Sequence, residues 1–255
     1  MRTQIIAELA SNHGGDLSLA KDLISACADH GADWIKVQAY QTKYLARTDP
    51  QYDWLTQAQV TESGLAELKA HAEKCGVKFL ASVFDLERAK FIRSLGCDTV
   101  KIGSGETARH SFHVHVLSLG FQYAFIGCGL MEMLPWLRHE NRVDVVPFYG
   151  VSEYPTPEER AYCAMNRADQ SRPWGWSDHT RLDVVGMDAI KRGASYVERH
   201  VGFRDRGRFN AWDSEPRHLR ELRKWAEDCA WEGTAAHADA CAKYLTRWSQ
   251  ADDGL

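Results

Sequence analysis

The segment DWIKVQAY, residues 33–40, is apolar at most positions and carries one lysine near its middle. A short apolar run of this kind is typical of a parallel strand that is buried on both faces. An amphipathic stretch precedes it over residues 16–30, with Asp16 as a candidate helix N-cap and Gly31 as a stop signal. The segment therefore predicts one strand of a chain in which strands and helices alternate.

The same alternation continues on both sides of this segment. Further strands are predicted at 3–9, 77–83, 98–104, 122–127, 143–150, 172–177 and 194–201. Further helices are predicted at 62–75, 85–95, 110–119, in a short piece containing Pro135, at 156–166 with Thr156 as its cap, at 181–192 and at 215–249. Eight such strand–helix units predict a closed (β/α)8 TIM barrel.

The domain prediction follows from this count. One domain is expected over residues 1–255, with the barrel at about 3–230 and an extra C-terminal helix at about 234–249. The main alternative is an open doubly wound sheet with a glycine-rich first turn. Residues 12–16, NHGGD, contain adjacent glycines but no G-x-G-x-x-G pattern, which favours the barrel.

The overall composition limits the classes of partner. The 255 residues are 44% apolar, carry a formal net charge of −4 and contain no long basic run, so neither nucleic acid nor an anionic membrane is expected as a partner. No apolar run is long enough to cross a bilayer, and the first residues lack a signal-peptide pattern. The seven cysteines are scattered without CxxC spacing. These features predict a reduced, cytoplasmic protein.

Polar side chains gather where the predicted strands end. They are Glu8, Lys36, Gln38, Lys101, Ser104, Glu106, Ser177, His179, Glu198 and His200. Strand side chains alternate with a period of two, so Lys36 and Gln38 share one face, as do Glu198 and His200. Barrel enzymes place their chemistry at the C-terminal ends of the strands. If these faces point inward, they predict a single polar mouth.

This set of side chains suits metal-assisted chemistry on a small phosphorylated acid. Lysines and hydroxyls bind carboxylate and phosphate groups. His179 and His200 lie on neighbouring predicted strands and can hold one divalent metal, while a nearby carboxylate can position or deprotonate a water. The alternative for a lysine inside a barrel is a structural ion pair, here between Lys101 and Glu198.

Two charged residues have the opposite parity to their neighbours. Asp178 lies between Ser177 and His179, and Arg199 lies between Glu198 and His200. The period of two therefore predicts that Asp178 and Arg199 lie outside the mouth, with Asp178 a candidate to orient an imidazole.

Six motifs occur in a fixed order along the chain. They are IIAELASNHGGDLSLAKDLISACADHGADWIKVQAY (5–40), FLASVFD (79–85), VKIGSGE (100–106), SEYPTP (152–157), WSDHT (176–180) and ERH (198–200). As an ordered set they resemble the sialic acid synthase (N-acetylneuraminate synthase) family over about residues 4–230. The resemblance implies condensation of phosphoenolpyruvate with an N-acetylmannosamine-like or variant sugar aldehyde. The products are a 2-keto-3-deoxy sugar acid and phosphate, and the cofactor is Mn²⁺ or Mg²⁺.

The resemblance also implies a role for each residue of the mouth. The metal ligands would be His179 and His200. The side chains that hold the carboxylate and phosphate of phosphoenolpyruvate would be Lys36, Lys101, Ser104 and Ser177. The acids beside the metal and the reacting carbons would be Glu8 and Glu198, which complete a catalytic set with Lys36 and Lys101. The residues that face the sugar would be Gln38, Glu106 and Tyr154.

Three departures from the family pattern concern the acceptor and the partners. The antifreeze-like domain that usually follows the barrel is expected to be missing, which leaves open a homodimer with another interface or a separate protein that supplies the domain. The usual S-T-G-M after the fifth strand is GCGL, 127–130. The usual P-G-P-D after the eighth strand is RGRFNAWD, 206–213, where Asn210 or Asp213 is the nearest substitute for an acid that grips the sugar.

Two other functions are compatible with the sequence. One is a Schiff-base aldolase on the same barrel with Lys101 as the nucleophile. The other is a non-catalytic barrel that binds an anion and has a regulatory role.

Overall fold

The strands of the computed structural model, which describes residues 2–130 and 143–230, form one closed parallel barrel in chain order. The eight strands in these ranges are β1 Gln4–Glu8, β2 Trp34–Ala39, β3 Lys78–Val83, β4 Thr99–Ile102, β5 Tyr123–Gly127, β6 Asp144–Gly150, β7 Gly175–Asp178 and β8 Tyr196–His200. The barrel closes where β8 pairs with β1, which sets Glu8 opposite His200. The predicted (β/α)8 fold is confirmed.

Helices connect the strands on the outside of the barrel. The helices in the described ranges are α1 Leu17–Asp29, α2 Tyr52–Ala58, α3 Glu62–Lys74, α4 Leu86–Ser94, α5 His110–Leu117, α6 Glu158–Met165, α7 Val184–Lys191 and α8 Leu219–Ala230. Asp16 caps α1 as expected, because its side chain accepts from the backbone N–H groups of Ser18 and Leu19. None of the helices seen in these ranges has the length and apolar character needed to cross a membrane. The predicted helices around Pro135 and at 234–249 lie outside the described residues.

The structure corrects the predicted start of α6. Thr156 does not cap this helix, because its hydroxyl donates to the backbone oxygens of Val151 and Glu153 at 3.3 and 2.7 Å. Pro157 occupies the N-cap position without a side-chain hydrogen bond. Thr156 therefore fixes the preceding loop rather than the helix.

Two other elements differ from the sequence prediction. β7 starts at Gly175 rather than at residue 172, which is consistent with Pro173 having no N–H to donate to a ladder. The segment 52–58, for which neither a helix nor a strand is predicted, forms α2. This helix has only seven residues and no side-chain cap. It is therefore too short to show the helical repeat of apolar residues, and it lacks the capping residue that would mark where it begins.

The lower half of the barrel interior is a floor of apolar side chains. These are Ile6, Trp34, Leu80, Phe125, Val146 and Phe148, with Tyr196 packed against them. Phe125 stacks on Phe148 with ring centroids 4.8 Å apart. Two residues further along β2 the same face carries Lys36 instead of Trp34, and along β1 it carries Glu8. The inward face therefore changes from apolar to charged, and the charged half lies at the C-terminal ends of the strands.

A close backbone approach holds the loop after β1 against α2. Gly15 has a φ of +89°, and a Cβ at this position would lie 2.3 Å from the backbone oxygen of Gln57. Only glycine tolerates both the left-handed conformation and this distance. The contact joins the loop after β1 to the segment 40–58, whose residues line one side of the barrel mouth.

Candidate active site

Two lysines and two glutamates form a buried cluster directly above the apolar floor. The Lys36 ammonium pairs with Glu8 and lies 3.2 Å from Glu198. The Lys101 ammonium lies 2.5 Å from the other carboxylate oxygen of Glu198. None of the four side chains is more than 6% exposed. Glu198 thus bridges the two cations. The Lys101–Glu198 ion pair considered as a structural alternative is present, within a cluster of four charges.

Hydroxyl groups complete the surroundings of both lysines. Lys36 Nζ donates to Ser82 Oγ at 2.9 Å, and Lys101 Nζ donates to Ser177 Oγ at 3.0 Å. Lys101 Nζ also lies 4.3 Å from the ring centroid of Phe148 in the floor. Ser177 was predicted at this mouth, whereas Ser82 was not. Ser82 lies on β3 two residues beyond Leu80, the pairing partner of Lys36 on β2, so its side chain lies on the same face as Leu80 and within reach of Lys36.

Burial shifts the pKa values of this cluster in different directions. Burial lowers the pKa of Lys101 to about 8, against the attraction of Glu198. Burial opposes ionisation of Glu198, but Lys101 and Lys36 hold its pKa at about 2. Burial also opposes ionisation of Lys36, but Glu198 and Glu8 raise its pKa above the usual range. Burial raises the pKa of Glu8. Lys36 and Glu198 are therefore held in their charged forms, whereas burial works against the charged forms of Glu8 and Lys101.

Two neutral imidazoles lie beside this cluster. The rings of His179 and His200 have centroids 5.4 Å apart and planes inclined by 66°. The backbone oxygen of Val151 lies 2.7 Å from His179 Nδ1, and a carbonyl only accepts, so this nitrogen is the donor and Nε2 keeps its lone pair. Burial lowers the pKa of His179 to about 4 and the pKa of His200 well below its usual value. Both rings are uncharged near neutral pH.

The histidine pair fits a weakly bound divalent metal. Across residues 2–130 and 143–230, no group of three or more His, Cys, Asp or Glu side chains is placed to hold an ion. The pair would therefore supply two nitrogen donors and leave the other positions to water and substrate oxygens. His200 Nδ1 is buried and has no hydrogen-bond partner in the described part of the chain. An unsatisfied imidazole nitrogen at this position is compatible with a bound ion.

Asp178 and Arg199 lie outside the mouth, as their parity predicts. Arg199 lies 3.4 Å from Asp178 and 2.9 Å from Asp183, and it donates to the backbone oxygen of Thr180 at 2.7 Å. Asp178 accepts from the N–H and the hydroxyl of Thr180. The prediction that Asp178 orients an imidazole is wrong, because a backbone carbonyl holds His179 instead.

Methionine at position 199 is expected to lower the free energy of unfolding by about 3–5 kcal/mol. The reason is that Arg199 is only 1% exposed in its side chain and its loss leaves the buried Asp178 without a counter-charge. Urea denaturation measures the change. Arg204→Met is the control, because Arg204 is 64% exposed and its ion pair with Glu215 is worth at most about 1 kcal/mol. Equal losses in the two variants would contradict the assignment.

The segment after β5 packs closely around Ser104. The N–H of Gly129 donates to Ser104 Oγ at 2.9 Å. A Cβ on Gly127 would lie 2.6 Å from the backbone nitrogen of Ser104, and one on Gly129 would lie 2.7 Å from Ser152 Oγ. Glycine at position 127 therefore leaves room for the Ser104 hydroxyl. A residue with a side chain at this position would displace that hydroxyl.

A cavity of about 1040 Å³ opens at the mouth of the barrel. The residues predicted to face the acceptor all line it, and they are Gln38, Glu106, Tyr154 and Asn210. His200 lines it as well. The residues predicted to hold phosphoenolpyruvate, Lys36, Lys101, Ser104 and Ser177, are not among its lining residues. The cavity lining thus contains the residues predicted for the acceptor and not those predicted for phosphoenolpyruvate.

Aromatic rings connect the cavity to the histidine pair. Tyr154 packs on His179 with ring centroids 4.2 Å apart, and Trp212 packs on Tyr154 at 5.4 Å. Glu106 is paired with Arg109. Sequence reasoning missed Trp212. The only available signal was a large aromatic residue inside the polar segment RGRFNAWD.

The structure distinguishes the two candidate sugar contacts of that segment. Asp213 is 5% exposed, and its carboxylate accepts from the backbone N–H and the amide of Asn210 and from the amide of Asn12. Asp213 therefore anchors the loop, and Asn210 is the one that lines the cavity.

Comparison with known proteins points to one family. A model of the NeuB family matches residues 23–229. The N,N'-diacetyllegionaminic acid synthase of Campylobacter jejuni is 30% identical over 224 residues, which cover 78% of this chain and 67% of that protein. The N-acetylneuraminate-9-phosphate synthase of Homo sapiens is 26% identical over 246 residues, which cover 86% of this chain and 67% of that protein. The chain spans about two thirds of the length of these relatives.

The fold agrees with the sequence match. The crystal structure of a sialic acid synthetase from Leptospira borgpetersenii in complex with citrate superposes with a TM-score of 0.85 at 23% identity, covering 96% of this chain and 92% of that one. The family model covers most of the described barrel, and the two relatives named above are sugar-acid synthases. The chain therefore belongs to the NeuB family.

Proposed function

We propose that this protein condenses phosphoenolpyruvate with a sugar aldehyde of the N-acetylmannosamine type, giving a 2-keto-3-deoxy sugar acid and phosphate. The observation that carries the proposal is the pair of buried lysines, Lys36 and Lys101, beside two neutral histidines at one end of the barrel. Membership of a family whose relatives are sugar-acid synthases supports the same reaction type.

Phosphoenolpyruvate would bind on the lysine side of the site. Its phosphate and carboxylate can displace Glu8 from Lys36 and use the third N–H donor of Lys101, because a multiply charged anion competes well for buried cations. Ser177 already contacts Lys101. Ser104 follows β4, and its hydroxyl accepts from the N–H of Gly129 in the turn after β5. The two lysines then hold the phosphate throughout the reaction and stabilise it as it leaves.

The histidine pair would hold the divalent metal, Mn²⁺ or Mg²⁺. Nitrogen donors match Mn²⁺ better than Mg²⁺, because Mg²⁺ binds almost wholly through oxygen. When bound, the ion would polarise the aldehyde oxygen.

The remaining chemistry needs a group that moves one proton. The enol carbon forms the new carbon–carbon bond with the aldehyde carbon, water adds at the phosphate-bearing carbon, and the C–O bond to phosphate breaks. Glu8 is the candidate to accept one proton of that water and pass it to the former aldehyde oxygen, because burial raises its pKa and Lys36 can turn from it to the substrate. The second proton of the water leaves with the phosphate as the keto group forms. Glu198 stays ionised and keeps both lysines in position.

Phosphate release tests this proposal directly. Purified protein with Mn²⁺ and phosphoenolpyruvate is expected to release phosphate with at least one aldehyde from a panel of hexosamines and pentoses. Absence of release with every aldehyde, together with no binding of phosphoenolpyruvate, would contradict the proposal. Tight binding of phosphoenolpyruvate without turnover would support the non-catalytic anion-binding barrel instead.

The pH dependence should show the lowered pKa of Lys101. In the free enzyme the ammonium is present below about pH 8 and is lost as the pH rises through that value. The kcat/KM for phosphoenolpyruvate should therefore fall above pH 8 by up to about tenfold per pH unit. The profile of kcat should fall at higher pH, because the bound anion stabilises the ammonium. A kcat/KM that stays flat well above pH 8 would contradict the role of Lys101.

One observation favours a second function, a Schiff-base aldolase. A lysine with a pKa of about 8 loses its proton more readily than an ordinary lysine and can act as a nucleophile. Borohydride reduction in the presence of pyruvate distinguishes the two functions. A covalent adduct on Lys101 supports the aldolase, whereas the phosphoenolpyruvate reaction forms no imine.

A further inference from the structure

Arg208 presents a guanidinium group to the acceptor cavity. It lines the cavity, and its Nε donates to Asn210 Oδ1 at 3.1 Å. No carboxylate in residues 2–130 or 143–230 pairs with it. An arginine carries five N–H donors, so this contact uses only one of them. The charge of Arg208 is therefore available to a ligand in the cavity.

None of the carboxylates that line the cavity forms an ion pair with Arg208. Of the three carboxylates that line the cavity, Glu106 pairs with Arg109 and Glu87 pairs with Lys43. The third, Asp85, accepts from two neutral donors, the Gln41 amide and the Arg88 N–H. Lys90 also lines the cavity and has no ion pair within the described ranges. The lining thus holds two cations without an ion pair in the described residues, Arg208 and Lys90, against one such carboxylate, Asp85.

The position of Arg208 is fixed before any ligand binds. Its guanidinium carbon lies 5.2 Å from the centroid of the Trp54 ring, and Trp54 Nε1 donates to Ser11 Oγ at 3.0 Å. The backbone N–H of Arg208 donates to the oxygen of Asn12 at 2.8 Å. A cation held in this way loses little entropy when it binds an anion.

We propose that the acceptor aldehyde carries a phosphate or a carboxylate, and that Arg208 binds this anionic group. The inference rests on the proposed condensation, and it narrows the acceptor class. Phosphoenolpyruvate is the weaker candidate for Arg208, because the residues assigned to it do not line this cavity. The flat guanidinium can bind two oxygens of either group at once.

Equilibrium binding of three sugars tests the inference without turnover. The probes are N-acetylmannosamine, its 6-phosphate and its 6-carboxylate, measured by calorimetry in the absence of phosphoenolpyruvate. The protein is expected to bind one of the two anionic sugars about 10–100-fold more tightly than the neutral sugar. Whether the phosphate or the carboxylate binds more tightly identifies the group. Arg208→Gln should remove the difference.

A matched control lies four residues earlier in the same loop. Arg204 stacks over Phe209 and pairs with Glu215 on the surface, and it does not line the cavity. Arg204→Gln should keep the preference of the unmodified protein. Equal binding of the three sugars by the unmodified protein, or a preference that survives in Arg208→Gln, overturns the inference.

Turnover assays separate this inference from the proposed function. A higher KM for phosphoenolpyruvate in Arg208→Gln, with the sugar preference unchanged, also overturns the inference, because it places Arg208 at the other substrate. Phosphate release without any preference for anionic sugars overturns the inference and leaves the condensation. Arg208-dependent binding of an anionic sugar without phosphate release supports the inference and contradicts the condensation.

Discussion

Methionine in place of Lys101 is expected to lower kcat/KM for phosphoenolpyruvate by about 10²–10³-fold. The substitution keeps most of the length of the side chain but removes one of the two buried cations that would hold the phosphate. Glu8 and Glu198 then share Lys36 as their counter-charge, and burial, which raises the pKa of Glu8, favours the neutral form of that carboxyl. The loss should therefore appear in activity, with the fold preserved.

Phosphate release measures this change, and thermal unfolding confirms that the variant is folded. Lys78→Met is the matched control, because Lys78 lies at the start of β3, at the opposite end of the barrel, with its ammonium 4.7 Å from the Trp34 ring. Full activity of Lys101→Met would exclude Lys101 from substrate binding and would leave its ion pair with Glu198 as a purely structural feature.

Glutamine at both 179 and 200 is expected to lower activity by about 10²–10⁴-fold, the range of several kcal/mol that a polarising ion supplies. Glutamine is polar and of similar size, but it lacks the imidazole nitrogen that would bind the ion. The unmodified protein should lose activity in a chelator and regain it with Mn²⁺. The double variant should not recover.

Direct binding of Mn²⁺ gives a second measurement that does not depend on turnover. Electron paramagnetic resonance should show Mn²⁺ bound to the unmodified protein and not to the double variant. His30→Gln is the control, because His30 follows α1 and its Nδ1 is held by the backbone oxygen of Ala26. Full activity after chelation, or Mn²⁺ still bound to the double variant, would contradict the assignment.

The barrel and the inward face of its strands could be predicted from the sequence. A period of two fixes which side chains share a face, so Glu198 and His200 were assigned together and Arg199 was assigned to the outside. The structure places all three accordingly, with Arg199 bound to Asp178 and Asp183 behind the strand. This part of the prediction does not depend on the exact strand ends. An error of one or two residues at a strand end does not change which side chains share a face.

The acceptor side could not be predicted in the same way. Loops have no period, so nothing in RGRFNAWD indicated that Trp212 packs on Tyr154 or that Arg208 lies over Trp54, far away in the chain. Asp213 illustrates the same limit. Its carboxylate looked like a sugar contact, but three donors within hydrogen-bond distance use it to hold the loop.

A crystal soaked with Mn²⁺ and phosphoenolpyruvate tests the central claim most directly, with data collected at the manganese absorption edge. The account predicts one anomalous peak shared by His179 and His200, with the phosphate of phosphoenolpyruvate in contact with Lys36 and Lys101. Manganese bound away from the two imidazoles, or phosphoenolpyruvate bound away from the two lysines, would contradict it.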